Sequence, residues 1–433
     1  MVKAILYLGA TAIGIVASLF SPLAGAIACI EAYLLNPKAM DLSDGGFRYQ
    51  FWTTIAFLAG VLLQRARPAA RVRGEAGILW LLWGFLGVCI LSASWAISAP
   101  ESALLGAYEM FKVLIVASAL VWALRTESDI SWFFTACIVG VLHAALLHSF
   151  GARLGYIPPS LDRGEGVLIT GQSQVMVLFI PLLILLSIRG VRLQRWLSLG
   201  TIPFALNSIV KTYQRTAFVA LLLEGILLLC LLPRRITFRI FPLLALGGCL
   251  FVFRLAPDDY WQRMQTIQDP HNEASAASRF VIARTSLKMF QDYPLGVGYQ
   301  NYQYVSPRYL DAGYLTEGRR SSHNSFFAVL CDTGVEGFIF WISAMTMALL
   351  TLRSIRKNAD TTDPRPVEVY AMAVEVGLYG WLATGLFGDQ SRLDPAYWFL
   401  GATVVLARLA ANEPEDAGPR DDADISADPN ASL

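Results

Sequence analysis

Apolar residues fall along this chain in long blocks separated by short polar stretches. Each block holds roughly 15–25 residues, the length at which a helix crosses about 30 Å of hydrocarbon. The pattern predicts helices over 4–35, 50–64, 76–97, 103–124, 130–150, 168–188, 196–210, 216–232, 236–255, 324–351, 369–387 and 395–410. The first is overlong and is interrupted at Ser21-Pro22, so it is either one kinked helix or two short ones. The expectation is an all-α, polytopic membrane protein of about twelve transmembrane helices. Residues 1–410 form its membrane domain, and one large, partly helical periplasmic loop is inserted at 256–322. Residues 411–433 are acidic and poor in large apolar side chains, which predicts a disordered cytoplasmic tail.

Charge sets the expected orientation. Only 15% of the 433 residues are charged and 55% are hydrophobic, against about a quarter charged in soluble domains. The net charge of +1 excludes a strong general pull on nucleic acid. Arginines concentrate at 65–75, 189–195, 233–239 and 352–368, and these stretches alternate with 98–102, 151–165, 211–215, 256–322 and 388–394. The bias of basic residues toward the cytoplasm puts the first set inside and the second set outside. The N-terminal block reads as a retained span rather than a signal peptide. The six cysteines lie in apolar blocks without metal-ligand spacing, so they predict small core residues and no disulfide framework.

The loop at 256–322 is rich in tyrosine, which suits carbohydrate surfaces and interfacial packing alike. Within it, Ser278 to Gln291 has helical spacing, with Phe280, Ala283, Leu287 and Phe290 as an apolar stripe. Arg284 and Lys288 share a face of that helix, which is expected on the membrane surface. Pro294 and Gly296-Val297-Gly298 then read as a turn. His323 closes the loop directly ahead of a long apolar block, and Arg215 starts another block on the same predicted side. Each has an ordinary reading: an interfacial or capping histidine, a snorkelling arginine. Each also has a chemical one. Arginine's planar fork holds two phosphate oxygens, and a neutral imidazole accepts a proton. Arg48, Asp389 and Arg392 fall on the same side and are candidates to line the same cleft with Lys288. Asp332 and Glu336, four apart, are expected on one face of a span, where carboxylates are costly. Asp332, Glu336 and Glu375 are also what a proton-coupled transporter would need. No metal-ligand cluster is visible.

Two stretches resemble the O-antigen ligase family, which also includes O-antigen polymerases and protein O-oligosaccharyltransferases. One is Gln214-Arg215-Thr216-Ala217-Phe218. The other runs from Arg284-Thr285-Ser286-Leu287 through Tyr293-Pro294-Leu295-Gly296-Val297-Gly298-Tyr299 to His323-Asn324-Ser325-Phe326-Phe327 and Asp332-Thr333-Gly334-Val335-Glu336-Gly337. The resemblance covers roughly 203–345. It implies a metal- and cofactor-independent glycosyltransferase in the bacterial inner membrane. The implied donor is an undecaprenyl-diphosphate-linked glycan, and in ligases the acceptor is the lipid A-core. Arg215, Arg284 and His323 take the family's essential positions. On that reading the arginines hold the diphosphate and His323 is the base of an inverting transfer.

Overall fold

The computed structural model describes residues 2–35, 48–64, 77–150, 166–265, 274–360 and 362–411. Among them every regular element is helical, apart from an isolated bridge between Thr316 and Arg319. The helices are α1 (Val2–Phe20), α2 (Pro22–Leu34), α3 (Tyr49–Leu63), α4 (Gly77–Leu91), α5 (Pro100–Ala123), α6 (Glu127–Phe150), α7 (Gly166–Arg189) and α8 (Arg192–Lys211). They continue as α9 (Arg215–Leu231), α10 (Arg234–Leu250), α11 (Asp258–Gln265), α12 (Ala274–Asp292), α13 (Tyr302–Val305), α14 (Ser325–Asn358), α15 (Pro366–Gly385) and α16 (Asp394–Ala411).

The overlong first block is two helices. Pro22 occupies the first position of α2, and the Ser21 side chain accepts the Ala24 N–H at 3.3 Å, so the chain stops and restarts there. By length and composition, Gly77–Trp95, Pro100–Ala123, Glu127–Phe150, Arg234–Leu255 and Ser325–Asn358 are long and apolar enough to cross a membrane. The described shorter apolar helices are Leu6–Phe20, Pro22–Leu34, Tyr49–Leu63 and Ser173–Arg189. Arg65, Arg67, Arg71, Arg73, His271 and the tail after Ala411 lie outside the described residues.

Hydrogen bonds between helix ends sort the bundle into two poles. At one, Gln194 Nε2 donates to the Tyr370 hydroxyl at 3.0 Å, Arg356 Nη1 to Leu231 O at 3.1 Å, Arg365 Nη2 to Ala410 O at 3.2 Å and Arg408 Nη1 to Val121 O at 3.2 Å. At the other, Lys211 Nζ donates to Ser149 O at 2.7 Å, and the Tyr299 N–H donates to Ser92 Oγ at 2.9 Å. Successive long helices run in alternating directions between these poles. Arg189, Arg356 and Arg365 share the first, while 92–99, 208–215, 294–324 and 386–393 share the second.

Of the cysteines, Cys29, Cys89, Cys137 and Cys331 are buried, as core residues should be, but Cys230 and Cys249 are exposed on the outer surfaces of α9 and α10. All six are free thiols.

Candidate active site

The second pole is built around a broken helix. Inside α14, Gly334 has φ +70° and ψ −170°, so the helix stops and restarts. A break inside a bundle frees backbone groups that need partners. The segment Pro294–Tyr302 supplies them. Val297 N–H donates to Cys331 O at 2.8 Å, Gly298 N–H to Asp332 O at 3.0 Å, and Val335 N–H to Pro294 O at 3.1 Å. The Asp332 carboxylate completes the joint by accepting the Gln300 N–H at 2.9 Å and the Tyr302 N–H at 2.7 Å.

The approach is so close that a Cβ on Gly296 (φ +84°) would meet Asp332 O and Gly334 N at 2.5 Å. The turn between α4 and α5 is tied to the same segment, with Ile97 N–H on Val297 O at 3.1 Å and Ala99 N–H on Asn301 Oδ1 at 2.8 Å. The Pro-x-Gly-x-Gly stretch is thus a turn, as its composition predicts, and its glycines serve backbone docking. The expectation that Asp332 and Glu336 share a face fails here. Gly334 turns the chain between them, leaving Asp332 buried and Glu336 exposed. Glu375 is held by Arg356 through Nε at 2.6 Å and Nη2 at 3.2 Å. Two of the three carboxylates that a proton relay would use are therefore engaged.

His323 stands just ahead of α14. Asn324 caps the helix, its Oδ1 accepting the N–H groups of Phe326 (2.9 Å) and Phe327 (3.0 Å), while its Nδ2 donates to Leu386 O at 2.9 Å. Ser325 Oγ donates to Gly388 O at 3.0 Å and accepts the Gln390 N–H at 2.7 Å. These bonds lock the start of α14 to the turn between α15 and α16. They leave His323 half-buried in the left-handed region, at φ +46°, with Nε2 3.3 Å from Ser321 Oγ. Burial first, then the charges of Arg320 and Arg279, push its pKa from 6.5 down to about 4. The imidazole is therefore neutral at ordinary pH.

Neither Arg279 nor Arg320 is singled out by the sequence. Arg279 lies near the start of α12, its guanidinium 5.9 Å from the Phe387 ring centroid. Arg320 Nη1 donates to Thr316 Oγ1 at 3.1 Å, and its buried Nε has no acceptor among the described residues. A buried guanidinium N–H without an acceptor suits an anion. A sequence signal was present: both arginines fall in the 256–322 loop, where the basic-inside bias disfavours cations if that loop faces outward as predicted.

The other sequence candidates distribute as follows. Arg215 is the half-buried first residue of α9, where the preceding Gln214 accepts hydrogen bonds from Ser173 and Gln174 of α7. Arg284 and Lys288 are exposed on α12, and Lys288 Nζ stands 5.9 Å from the Tyr309 ring centroid. Arg48 is exposed ahead of α3 beside Phe51, at 5.9 Å. Asp389 and Arg392 are exposed in the turn between α15 and α16, where Asp389 Oδ1 accepts the Ser391 hydroxyl at 2.8 Å.

The predicted apolar stripe of α12 is corrected. Its buried face runs through Ser278, Ile282, Thr285, Ser286 and Met289, whereas Phe280 is 70% and Leu287 49% exposed. Met289 and Ile282 join Tyr302, Val305 and Cys331 in a small core under the loop, so the tertiary face is the one that meets α14. His143 and His148 are satisfied packing residues, bonded to Tyr7 at 2.9 Å and Ser208 at 2.6 Å. Among the described residues no group of His, Cys, Asp or Glu could hold a metal.

Residues 201–342 match the family model described as O-antigen ligase. No curated protein matches the chain. The matched region begins in α8 and ends just past the break in α14, so it encloses Arg215, α12, the docked glycine turn, Arg320 and His323. Members of this family transfer glycosyl groups. Over residues 201–342, which hold the glycine turn and the break in α14, this helical bundle is similar to the O-antigen ligase family of glycosyl-transferring proteins.

Proposed function

We propose that this protein is an O-antigen ligase. It transfers a glycan from undecaprenyl diphosphate to a hydroxyl of the lipid A-core, without a metal, on the periplasmic face of the bacterial inner membrane. On this reading about twelve helices cross the bilayer, residues 256–322 face outward, and the pole holding Arg189, Arg356 and Arg365 faces the cytoplasm. The observation that carries the proposal is the environment of His323: an imidazole fixed by its neighbours, kept neutral, and set within reach of two arginine charges.

The acceptor hydroxyl gives its proton to the neutral imidazole while its oxygen attacks the anomeric carbon. The bond from that carbon to the diphosphate oxygen breaks, and the leaving diphosphate keeps the electron pair. Attack from the opposite face inverts the anomeric centre. Arg279 and Arg320, with Arg215 and Arg284, bind the diphosphate and stabilise the charge that builds on it; Lys288, Arg48, Asp389 and Arg392 are the outer candidates for contacts to sugar and headgroup. Donor binding has a second consequence. A bound diphosphate offsets the arginine charges that depress His323, so the imidazole becomes a better base when the donor is in place.

The test is a reconstituted transfer assay with purified lipid-diphosphate-linked glycan and two acceptors offered separately. Transfer to lipid A-core supports the ligase. Elongation of a second lipid-linked glycan alone would make the protein a polymerase, and transfer to a pilin-like protein alone an oligosaccharyltransferase. No covalent product with any acceptor overturns the proposal.

A further inference from the structure

At the arginine-rich pole, far along α8 from the site just described, the ends of α7 and α8 enclose a groove of about 460 Å³. Its lining includes Arg192, Arg195, Trp196 and Leu199, and no lining residue is acidic. The third arginine of this turn is not available to it, because Arg189 is paired with Asp363 and donates to Pro364 O at 3.3 Å. Arg195 uses Nε on Gly190 O at 2.7 Å, which holds its guanidinium over the groove rim. Arg192 is exposed and has no hydrogen-bond or ion-pair partner among the described residues. Below the two cations, toward the middle of the bundle, Trp196 is 69% and Leu199 39% exposed on the outer face of α8.

Two uncompensated cations above an outward tryptophan and leucine have one matching chemistry at a bilayer edge: a phosphate group joined to a hydrocarbon chain. We infer that this groove binds the phosphate headgroup of an anionic phospholipid, held by Arg192 and Arg195, with an acyl chain along Trp196 and Leu199. Tryptophan prefers the headgroup level, and basic pockets between helices suit anionic lipid headgroups. A zwitterionic lipid brings its own cation against the two arginines and is disfavoured. A free phosphate leaves the Trp196 and Leu199 surface without a partner. The groove lies at the opposite pole from His323, so occupancy does not depend on the glycan-transfer reading.

The experiment uses the full chain purified from mixed phosphatidylglycerol and phosphatidylcholine nanodiscs, with retained lipid counted by native mass spectrometry. The wild type retains one phosphatidylglycerol, and Arg192→Gln weakens retention roughly fivefold, the effect of about one cation near a membrane surface. Arg192→Gln leaves the bond from Arg195 to Gly190 untouched, so it keeps the test independent of local folding. Adding Arg195→Gln abolishes retention, while Arg234→Gln/Arg235→Gln, which removes two exposed cations outside the groove, leaves it unchanged. Trp196→Ala weakens retention with both arginines present. Equal retention by wild type and Arg192→Gln/Arg195→Gln overturns the assignment. So does equal retention of phosphatidylcholine, or complete displacement by millimolar inorganic phosphate, which would make this a simple anion site.

Discussion

At the scale of single residues, the proposed function rests on how His323 is held. The imidazole is not on a helix but one residue before the Asn324 cap, in a backbone region that non-glycine residues seldom adopt. Burial and the two neighbouring arginines keep it neutral. The sign of the pH effect follows. Only the neutral form accepts a proton, and the free protein's pKa is about 4, so kcat/KM should stay level on acidification until that value and fall below it. Arg320→Gln removes one depressing charge and should move the acid limb upward toward 6.5, while weakening donor binding. A profile measured from pH 3.5 to 8.5 distinguishes these outcomes; an acid limb already at 6.5 in the wild type would contradict the assigned environment. Arg279→Lys and Arg284→Lys keep charge but lose the two-pronged contact. Each should raise KM for the lipid-linked donor about tenfold or more if its fork grips the diphosphate. Donor titration in vesicles reads this, and an unchanged KM removes that arginine from the donor site.

At the scale of elements, the joint between the glycine turn and the broken α14 carries the site. Asp332→Ala leaves the Gln300 and Tyr302 N–H groups without their acceptor, at a cost of about 1–3 kcal/mol each. A clear loss of thermal stability is expected, smaller in Asp332→Asn, which keeps one acceptor. Equal melting of all three proteins would show that the joint contributes little. Gly334→Ala should be worse, because the new Cβ meets Leu295 backbone at 2.5 Å at a left-handed φ.

This joint also marks the limit of what the chain discloses by itself. Block length and Ser21-Pro22 announced the helices and their first break, and His323-Asn324 announced a helix start. Helical spacing then misplaced Glu336 beside Asp332, because spacing assumes an unbroken helix and Gly334 interrupts it. On α12 both faces carry apolar side chains, Phe280 and Leu287 on one, Ile282 and Met289 on the other. Periodicity alone does not choose between them; contact with α14 and the 302–310 segment does. Arg279 is hidden for the same reason, since α12 meets His323 only through tertiary packing, whereas Arg320 lies three residues before His323 and was open to a reading of the loop itself.

At the scale of the whole molecule, alternating helix directions separate two poles of different chemistry. One carries arginines that pair with carboxylates and helix-end carbonyls, such as Arg356 with Glu375 and Leu231. The other carries arginines close to a neutral histidine. In a cysteine-free variant, a cysteine placed at position 313 should react with a membrane-impermeant maleimide in cells whose inner membrane is intact, and one placed at position 193 only after that membrane is permeabilised. Labelling of both from the same side would contradict the proposed orientation. The most direct test of the whole account is single-turnover glycan transfer by His323→Ala in proteoliposomes charged with lipid-diphosphate-linked glycan and lipid A-core. The prediction is donor binding within about threefold of wild type and transfer slowed by about 10²–10⁴-fold, the worth of a positioned base. Transfer at a near wild-type rate would mean that the acceptor loses its proton elsewhere and that His323 is not the base.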